Sequence, residues 1–162
     1  MDRKKIAIFT GNRAEYGLLN PLIRELSSRA SFEVYLIISG SHLLEDFGKT
    51  VCEIDTSMVK SIRKIPLSVT DANKKVELLL LFSDVIREGT TALANLNPQF
   101  LVLAGDRYET FAMAVTAYYL NIPIVHLFGG DLSQGEHLDD SLRHSITKIA
   151  HLHFTTNVDS YT

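Results

Sequence analysis

The segment that decides the fold is IAIFTGNRAEYGLLNPLIRELSSRASFEVYLIIS, residues 6–39. Its first part, Ile6–Thr10, is a short apolar run ended by Gly11, which is typical of a strand buried on both faces of a sheet. Leu18–Ser28 carries leucine and isoleucine at helical spacing, and Phe32–Ser39 is a second apolar run. A strand, a helix and a strand in this order predict a right-handed βαβ unit with parallel strands.

The same alternation continues along the chain. Further strands are predicted at Ser61–Leu67, Phe100–Ala104, Pro123–Phe128 and Leu152–Thr156. Further helices are predicted at His42–Ile54, at Ala72–Leu96 after a cap at Thr70 or Asp71, at Tyr108–Leu120, and from a cap at Asp139 or Asp140 to Ala150. The inner face of the long helix is expected to consist of Val76, Leu79, Leu80, Phe82, Ser83, Ile86 and Leu93. The pattern predicts an α/β fold, a Rossmann-like three-layer doubly wound parallel sheet, as one domain over residues 1–162.

The composition restricts the class of protein. A length of 162 residues suits one domain with its own core. A formal net charge of −3 and the lack of a basic run argue against a nucleic-acid-binding surface. No apolar stretch reaches membrane-spanning length, and the first apolar run is too short for a signal peptide. Cys52 is the single cysteine, which fits a reducing compartment and predicts a buried thiol. We therefore expect a soluble, cytoplasmic domain without nucleic-acid or membrane partners.

The residues that follow each strand are the informative ones, because ligands of such sheets bind beyond the carboxyl ends of the strands. The first strand is followed by GNRAEYG, which contains Gly11, Arg13 and Gly17. Glycines let backbone N–H groups approach an anion at a helix N-terminus, and arginine suits phosphate. The segment is neither the G-x-G-x-x-G dinucleotide motif nor a P-loop. A plain turn with a surface arginine explains it equally well.

A second polar cluster, GDRYET, follows the strand Phe100–Ala104. It contains Asp106, Arg107 and Glu109, and packing alone poorly explains so many ionisable residues in succession. Asp106 has an alternative explanation as the N-cap of the next helix. A cap requires neither Arg107 nor Glu109, so we predict a functional role for this segment.

A third cluster follows the strand Pro123–Phe128. Gly129 and Gly130 permit close approach of a ligand to the backbone, and Asp131 comes next. Beyond a polar loop lie Asp139, Asp140, Arg143 and His144. One of the two aspartates is expected to be a helix cap. Asp139 and Arg143, four residues apart, fit an ordinary surface salt bridge.

The histidines give no indication of a metal site. The six histidines lack a metal-binding spacing such as H-E-x-x-H. His126 lies inside an apolar strand, which is typical of a core histidine whose hydrogen bonds are satisfied. We predict neither a metal nor a cofactor. Arginine at a helix N-terminus suits a diphosphate, and carboxylates that face each other suit proton removal and return.

These segments resemble the hydrolysing UDP-N-acetylglucosamine 2-epimerases of sialic-acid-type sugar synthesis. The resemblance rests on GNRAEYG at residues 11–17, GDRYE at 105–109, DDSLRHSITK at 139–148 and LHF at 152–154, in the same order. It implies the N-terminal half of a GT-B architecture, with the C-terminal nucleotide-binding domain absent from this chain. The family usually has His-Gly-Gly-Glu where this chain has FGGD at 128–131, which keeps a carboxylate but shortens its reach.

The resemblance also implies a reaction. UDP-N-acetylglucosamine loses its diphosphate and its C2 proton to give a 2-acetamidoglucal, water adds at C1, and C2 is reprotonated from the opposite face to give N-acetylmannosamine. The catalytic residues implied are Asp106, Asp131, Asp139 and His144. The substrate-binding residues implied are Gly11, Arg13, Arg107, Glu109, Gly129, Gly130, Asp140 and Arg143.

Three alternatives remain at this level. The first is a 2-epimerase that acts on a GDP-linked sugar, as close relatives of this family do. The second is a GT-B glycosyltransferase, which would retain the C2 proton. The third is a non-catalytic nucleotide-sugar-binding module, which would describe half a cleft that is inactive alone. A response-regulator-like or flavodoxin-like signalling domain is disfavoured because Arg13 stands where an acidic pocket would lie. The resemblance further suggests a homo-oligomer, with the Ala72–Leu96 helix as a candidate contact.

Overall fold

The computed structural model describes residues 2–43, 50–68, 75–131, 138–158 and 160. The strands are β1 (Lys4–Thr10), β2 (Phe32–Ile38), β3 (Ser61–Lys64), β4 (Phe100–Ala104), β5 (Ile124–Leu127) and β6 (Leu152–Phe154). The helices are α1 (Arg13–Ser28), α2 (Lys75–Leu96), α3 (Tyr108–Tyr119) and α4 (Leu138–Ile149). The predicted caps Thr70 and Asp71 and the polar loop 132–137 lie outside the described residues.

The strands form one parallel sheet in the order β3-β2-β1-β4-β5-β6. The chain moves outward from β1 to β3, then crosses back to β4 on the other side of β1 and continues to β6. The direction of winding therefore reverses between β1 and β4. This is the doubly wound arrangement that the sequence predicts, and the reversal creates a crevice at the carboxyl ends of the two central strands.

One core lies between α1 and the sheet. Leu19 and Ile23 of α1 are at most 1% exposed and belong to the same buried cluster as Ile8 of β1 and Leu36 of β2. Alternate residues of each strand point to opposite faces, so the neighbours of these strand residues point the other way. The α1 face therefore accounts for only half of the buried strand residues.

A second core lies on the opposite face of the sheet. Phe9 of β1 and Leu103 of β4 belong to one buried cluster with Val85 of α2, Met113 of α3 and Ile146 of α4. Two cores on the two faces confirm the predicted three-layer architecture.

The face that α2 turns to the core differs from the predicted one. Leu81, Val85 and Leu93 are completely buried. Four residues predicted to face inward are exposed instead: Ser83, and Val76, Leu79 and Leu80 at 69%, 69% and 49%. The run 79–82 is apolar on every side, so helical periodicity alone does not identify which side meets the sheet.

The predicted helix His42–Ile54 is wrong in its described parts, which are two 3-10 turns, Gly40–Leu43 and Thr50–Glu53. His42 is buried, and its Nδ1 lies 2.9 Å from the hydroxyl of Thr50. Residues eight apart in an α-helix are separated by about 12 Å along the axis, so this contact is incompatible with one continuous helix through both residues. Cys52 is exposed, so the prediction of a buried thiol is also wrong.

No helix in the described part of the chain has the combined length and apolar character needed to cross a membrane.

Candidate active site

The carboxyl ends of β1, β4 and β5 bring the three predicted polar clusters to one edge of the sheet. These strands are adjacent and parallel, so the turns that follow them are neighbours. Direct contacts join the turns: Gly11 lies against Glu109, and Asp106 binds Arg143. The convergence expected from the sequence order is therefore present in the fold.

Arg143 on α4 is the centre of the most connected part of this edge. Its guanidinium binds the carboxylate of Asp106, with 2.9 Å from Nε to Oδ2 and a second contact from Nη2. Nη1 donates to the backbone carbonyl of Asp131 at 2.6 Å and lies 3.1 Å from Oδ1 of Asp140. The side chains of Arg143, Asp106 and Asp140 are 13%, 20% and 16% exposed. The arginine therefore fixes the ends of β4 and β5 relative to α4.

This arrangement corrects two of the simpler explanations. The N-cap of α3 is Arg107, and no side-chain cap hydrogen bond is formed there, so Asp106 is not a cap. Arg143 pairs with Asp140 and Asp106, whereas Asp139 is exposed in the first turn of α4. The expected salt bridge between Asp139 and Arg143 is thus replaced by pairs that are largely removed from solvent.

Asp131 is held by the segment that follows β6. Thr156 Oγ1 lies 2.9 and 3.0 Å from the two carboxylate oxygens, and the hydroxyl of Ser160 also donates to Oδ1. The hydrogen bonds from Ser160 and then Thr156 hold the pKa of Asp131 below its ordinary value. Asp131 is therefore ionised at neutral pH and can accept a proton.

The backbone around Asp131 is unusual. Phe128 has φ 64° and Gly130 has φ 83°, both in the left-handed region. A Cβ on Gly130 would meet the backbone of Ser160, and a Cβ on Gly129 would lie 2.8 Å from Nδ1 of His126. Internal packing thus already requires both glycines, and the approach of a ligand to them stays a prediction. A non-glycine residue in this region costs roughly 1 kcal/mol or more, so Phe128 marks a turn that the surrounding contacts enforce.

Glu109 does not occupy the position expected of a substrate ligand. Its side chain is completely buried, and its Oε1 accepts a hydrogen bond of 2.9 Å from Nε of Arg107. A Cβ on Gly11 would lie 2.6 Å from Cγ of Glu109, which explains the glycine at that position. The prediction of a direct substrate contact is therefore wrong for this geometry, and Glu109 orients Arg107 instead.

Gly11 also differs from its expected role. Its N–H donates to Oε2 of Glu15 at 2.7 Å, so this group is not free for an anion. Asn12 is the N-cap of α1 and accepts from the N–H of Glu15 at 2.9 Å. An Asn followed three residues later by Glu is a capping-box-like signal that the sequence already contained.

Arg13 and Arg107, which follow β1 and β4, differ in solvent exposure and in their ion-pair partners. Arg13, the first residue of α1, is 72% exposed and pairs with Glu53 at 2.7 Å. Arg107 is 46% exposed at its side chain and is anchored by the buried Glu109. Both lie at the carboxyl edge of the sheet and both keep solvent-accessible surface that an anion can contact.

His144 and His126 occupy different environments. His144 is half-buried on α4, next to Arg143. His126 is completely buried, with Nε2 2.8 Å from the carbonyl of Gly105 and Nδ1 3.2 Å from the hydroxyl of Thr147. The prediction of a satisfied core histidine is confirmed. In the described ranges, no group of three or more metal-binding side chains is arranged to hold an ion.

Three residues of the site, Glu15, Thr156 and Ser160, are not singled out by the sequence. Glu15 is recognisable only as part of a motif, and the other two are ordinary hydroxyl residues that gain importance through Asp131.

A parallel sheet with this strand order and a charged cluster at its winding reversal defines a Rossmann-like α/β domain with a ligand crevice. The family model of UDP-N-acetylglucosamine 2-epimerase matches residues 24–161, and the chain belongs to that family.

Curated relatives cover the same part of the chain. It is 37% identical over 157 residues to the GDP/UDP-N,N'-diacetylbacillosamine 2-epimerase (hydrolyzing) of Campylobacter jejuni, covering 97% of this chain and 40% of the relative. It is 34% identical over 157 residues to the UDP-N,N'-diacetylbacillosamine 2-epimerase (hydrolyzing) of Legionella pneumophila, covering 93% and 39%. The chain thus spans about two fifths of the length of these relatives.

Solved structures agree on the fold. The UDP-GlcNAc 2-epimerase from Neisseria meningitidis bound to UDP-GlcNAc matches with a TM-score of 0.77 and 23% identity, over 97% of this chain and 41% of that one. The Methanocaldococcus jannaschii enzyme in complex with UDP-GlcNAc and UDP matches with a TM-score of 0.76 and 18% identity, over 97% and 41%. At these identities the likeness confirms the Rossmann-like fold.

Proposed function

We propose that this chain forms one wall of the active site of a hydrolysing nucleotide-sugar 2-epimerase, which converts UDP-N-acetylglucosamine to N-acetylmannosamine and UDP by elimination and hydration. The observation that carries the proposal is the cluster of Arg143, Asp106 and Asp140 beside the ionised Asp131. Family membership and the names of the relatives support it. Since the chain spans about two fifths of those relatives, the remaining contacts to the nucleotide belong to other parts of the cleft.

Asp131 is the best candidate for the base that removes the C2 proton. Its two hydroxyl donors lower its pKa and keep it unprotonated, as a base must be, but they also weaken it as a base, so it takes the C2 proton only as the bond from C1 to the diphosphate breaks and that proton becomes acidic. Removal of the proton and departure of the diphosphate from C1 leave a double bond between C1 and C2. Water then adds its oxygen to C1 and C2 receives a proton from the opposite face.

The second proton requires a group on the other side of the sugar. Asp139 is exposed at the start of α4, and Asp106 is fixed by Arg143 at the end of β4. We assign these two carboxylates and His144 to proton return and sugar orientation. Asp140 and Arg143 position them.

The leaving diphosphate requires positive charge. Arg13 is exposed at the N-terminus of α1, and Arg107 is oriented by Glu109. Arg13 exchanges its weak surface partner Glu53 for the diphosphate, since an exposed ion pair contributes only about 0–1 kcal/mol. No cofactor takes part in this scheme.

Isotope exchange tests the reaction. The enzyme containing this chain, run in D2O with UDP-N-acetylglucosamine, is expected to give N-acetylmannosamine with deuterium at C2, seen by NMR or mass spectrometry. A product that retains the original hydrogen at C2 would overturn elimination and favour a GT-B transferase. Binding of UDP-sugars without any turnover would favour a non-catalytic binding module.

A second substrate is favoured by a specific observation. The Campylobacter and Legionella relatives, at 37% and 34% identity, are named for N,N'-diacetylbacillosamine, whereas the Neisseria meningitidis UDP-N-acetylglucosamine 2-epimerase is 29% identical. The same chemistry at C1 and C2 applies to both sugars. Comparison of kcat/KM for UDP-N-acetylglucosamine and for UDP- and GDP-N,N'-diacetylbacillosamine distinguishes the substrates.

We also propose a cytoplasmic enzyme that forms a homo-oligomer. The lone cysteine fits a reducing compartment, and Val76, Leu79 and Leu80 on α2 are apolar residues available for a contact between copies. Sedimentation of the enzyme tests the oligomer.

A further inference from the structure

Two buried carboxylates lie on either side of the backbone of Gly11. Glu15 is 7% exposed and accepts the N–H of Gly11 at 2.7 Å. Glu109 is completely buried, and its Cγ and Oε1 would lie 2.6 and 2.7 Å from a Cβ on Gly11. Glu109 also contacts Gly40, where a Cβ would lie 2.8 Å from its Oε1. The turns after β1, β2 and β4 therefore meet at these two acids.

The hydrogen-bond donors around the pair are too few for two full negative charges. Glu15 receives the Gly11 N–H with a smaller contribution from the Asn12 side chain, and Glu109 receives Nε of Arg107 with a contribution from its own backbone N–H. Oε1 of Glu15 and Oε2 of Glu109 are buried and have no partner among the residues that the structure describes. A buried carboxylate oxygen without a donor is costly, because its interaction with water has been lost.

The surrounding charges do not remove this imbalance. Arg107 is the cation that acts on both acids, and Asp139 of α4 adds a further negative field at Glu109. The other titratable groups of the elements packed nearby include Arg13 and Tyr16 of α1, Tyr108 at the start of α3 and His42 in the turn after β2. The pKa of His42 is lowered by burial, so it stays neutral and supplies no compensating charge.

We propose that Glu15 and Glu109 act as a pair that holds one proton at neutral pH and thereby positions Gly11 and Arg107 in the active site. One proton leaves a single negative charge, which Arg107 balances. The proton also removes the charge from one of the two acids whose buried oxygens lack a donor. Both glutamates are buried, so we assign them as positioning residues.

The titration behaviour agrees with the geometry. Burial, followed by repulsion from Glu109, raises the pKa of Glu15 to about 7. Burial also raises the pKa of Glu109, against the opposing effect of Arg107. Two interacting acids of this kind titrate as a unit.

NMR of the chain itself tests the shared proton without any substrate. In protein labelled with 13C at the glutamate side-chain carboxyl, one carbonyl signal is expected to titrate near pH 7, well above the remaining glutamates. In Glu109→Gln the Glu15 signal should move to a lower midpoint, because the repelling charge is gone. The control Glu25→Gln removes an exposed glutamate paired with Arg29 and should leave the midpoint unchanged.

Two results would overturn the pair. One is that every glutamate signal of the wild-type chain titrates below about pH 5, near the ordinary pKa range of glutamate. This measurement does not depend on any variant folding. The other is an unaltered Glu15 midpoint in a folded Glu109→Gln chain.

The catalytic consequence rests on the proposed function. In the enzyme, loss of the shared proton at alkaline pH should separate the two acids and misplace Arg107, which lowers kcat/KM. Glu15→Gln, neutral at every pH, should extend activity to higher pH by about one unit or more. An unchanged alkaline limb, with the NMR midpoint near 7 confirmed, rejects the positioning role alone. Inactivity of the wild-type enzyme on all nucleotide sugars rejects the proposed function and leaves the proton-sharing result standing.

Discussion

Arg143 shows how one side chain can hold the edge of the candidate site together. It contacts Asp106 at the end of β4, the backbone of Asp131 after β5 and Asp140 on its own helix. Its carboxylate partners are mostly removed from water, so they interact with it more strongly than a surface pair would. The arrangement consequently depends on a single residue.

Arg143→Ala is expected to lower the free energy of unfolding by roughly 2–4 kcal/mol, because two part-buried carboxylates then face each other without a cation. Urea unfolding of the chain measures it. Arg29→Ala, which removes an exposed pair with Glu25, should cost less than about 1 kcal/mol. Equal losses in the two variants would show that Arg143 is an ordinary surface residue.

Glu53→Gln is expected to strengthen UDP binding by about two- to fivefold, since Arg13 no longer has a competing carboxylate. Arg13→Ala should weaken the same binding. NMR titration of the chain with UDP gives both affinities. The matched control is Glu25→Gln, toward the far end of α1, which should leave binding unaltered. Weaker binding in Glu53→Gln would contradict the assignment of Arg13 to the diphosphate.

At the scale of elements, the turn between β1 and α1 is tight because three turns meet there. Gly11 and Gly40 both lie against Glu109, and Gly40 has φ 62°. Gly17, by contrast, lies inside α1, and nothing is within 4 Å of the point where a side-chain methyl group would stand. Packing therefore requires glycine at Gly11 and Gly40 in the turns, whereas packing does not require it at Gly17 in the helix.

Gly11→Ala should destabilise the chain by about 1–3 kcal/mol, because the new methyl group overlaps the buried Glu109. Gly17→Ala should stabilise it by roughly 0.5–1 kcal/mol, because alanine has a higher helix propensity than glycine. Thermal or urea unfolding compares the two. A stabilising Gly11→Ala would mean that Glu109 does not pack against this turn.

Most of the regular elements were predictable because β1, β2, β4 and β5 each contain a short apolar run, although β3 (SIRK) has a single apolar residue. α2 was predicted as a helix but with the wrong inner face, since the run 79–82 offers apolar residues in every direction. The predicted helix His42–Ile54 was wrong for another reason. Its described parts are joined by hydrogen bonds between a buried imidazole and the hydroxyls of Thr10 and Thr50, and such distant contacts leave no periodic signal.

The sequence predicts which turns of the candidate site are neighbours, but not how their side chains pair. Strand order places Asp106 and Asp131 at one edge, so their proximity follows from the topology. The pairing of Arg143 was not predictable, because local spacing favours Asp139 whereas the fold brings Asp106 to it. The burial of Glu109 likewise depends on how three turns pack, which no single segment encodes.

At the scale of the whole molecule, the two faces of the sheet are covered unequally. α2, α3 and α4 contribute to one core, whereas α1 is the helix of the other described core. Beside α1 a mainly apolar cavity of about 420 Å³ remains, and exposed Leu152 and Phe154 belong to its lining.

The buried acids Glu15 and Glu109 affect the whole molecule in a second way, because they make its stability depend on pH.

The free energy of unfolding is expected to fall as pH rises from 4.5 to about 7. Glu15 has a raised pKa in the folded state, so the unfolded chain releases its proton first and the stabilisation is lost through that window. Glu15→Gln should flatten the profile there. Urea unfolding at several pH values measures it, with Glu25→Gln as the comparison. Parallel profiles for wild type and Glu15→Gln would rule out the raised pKa.

The buried imidazole of His126 gives this fold an internal reporter. Nε2 must carry hydrogen to donate to the carbonyl of Gly105, the residue before Asp106, and burial keeps that hydrogen from exchanging rapidly. Its resonance should therefore stand apart in the downfield proton spectrum. Occupancy of the neighbouring crevice can then be followed by one natural signal, without dye, tag or isotope.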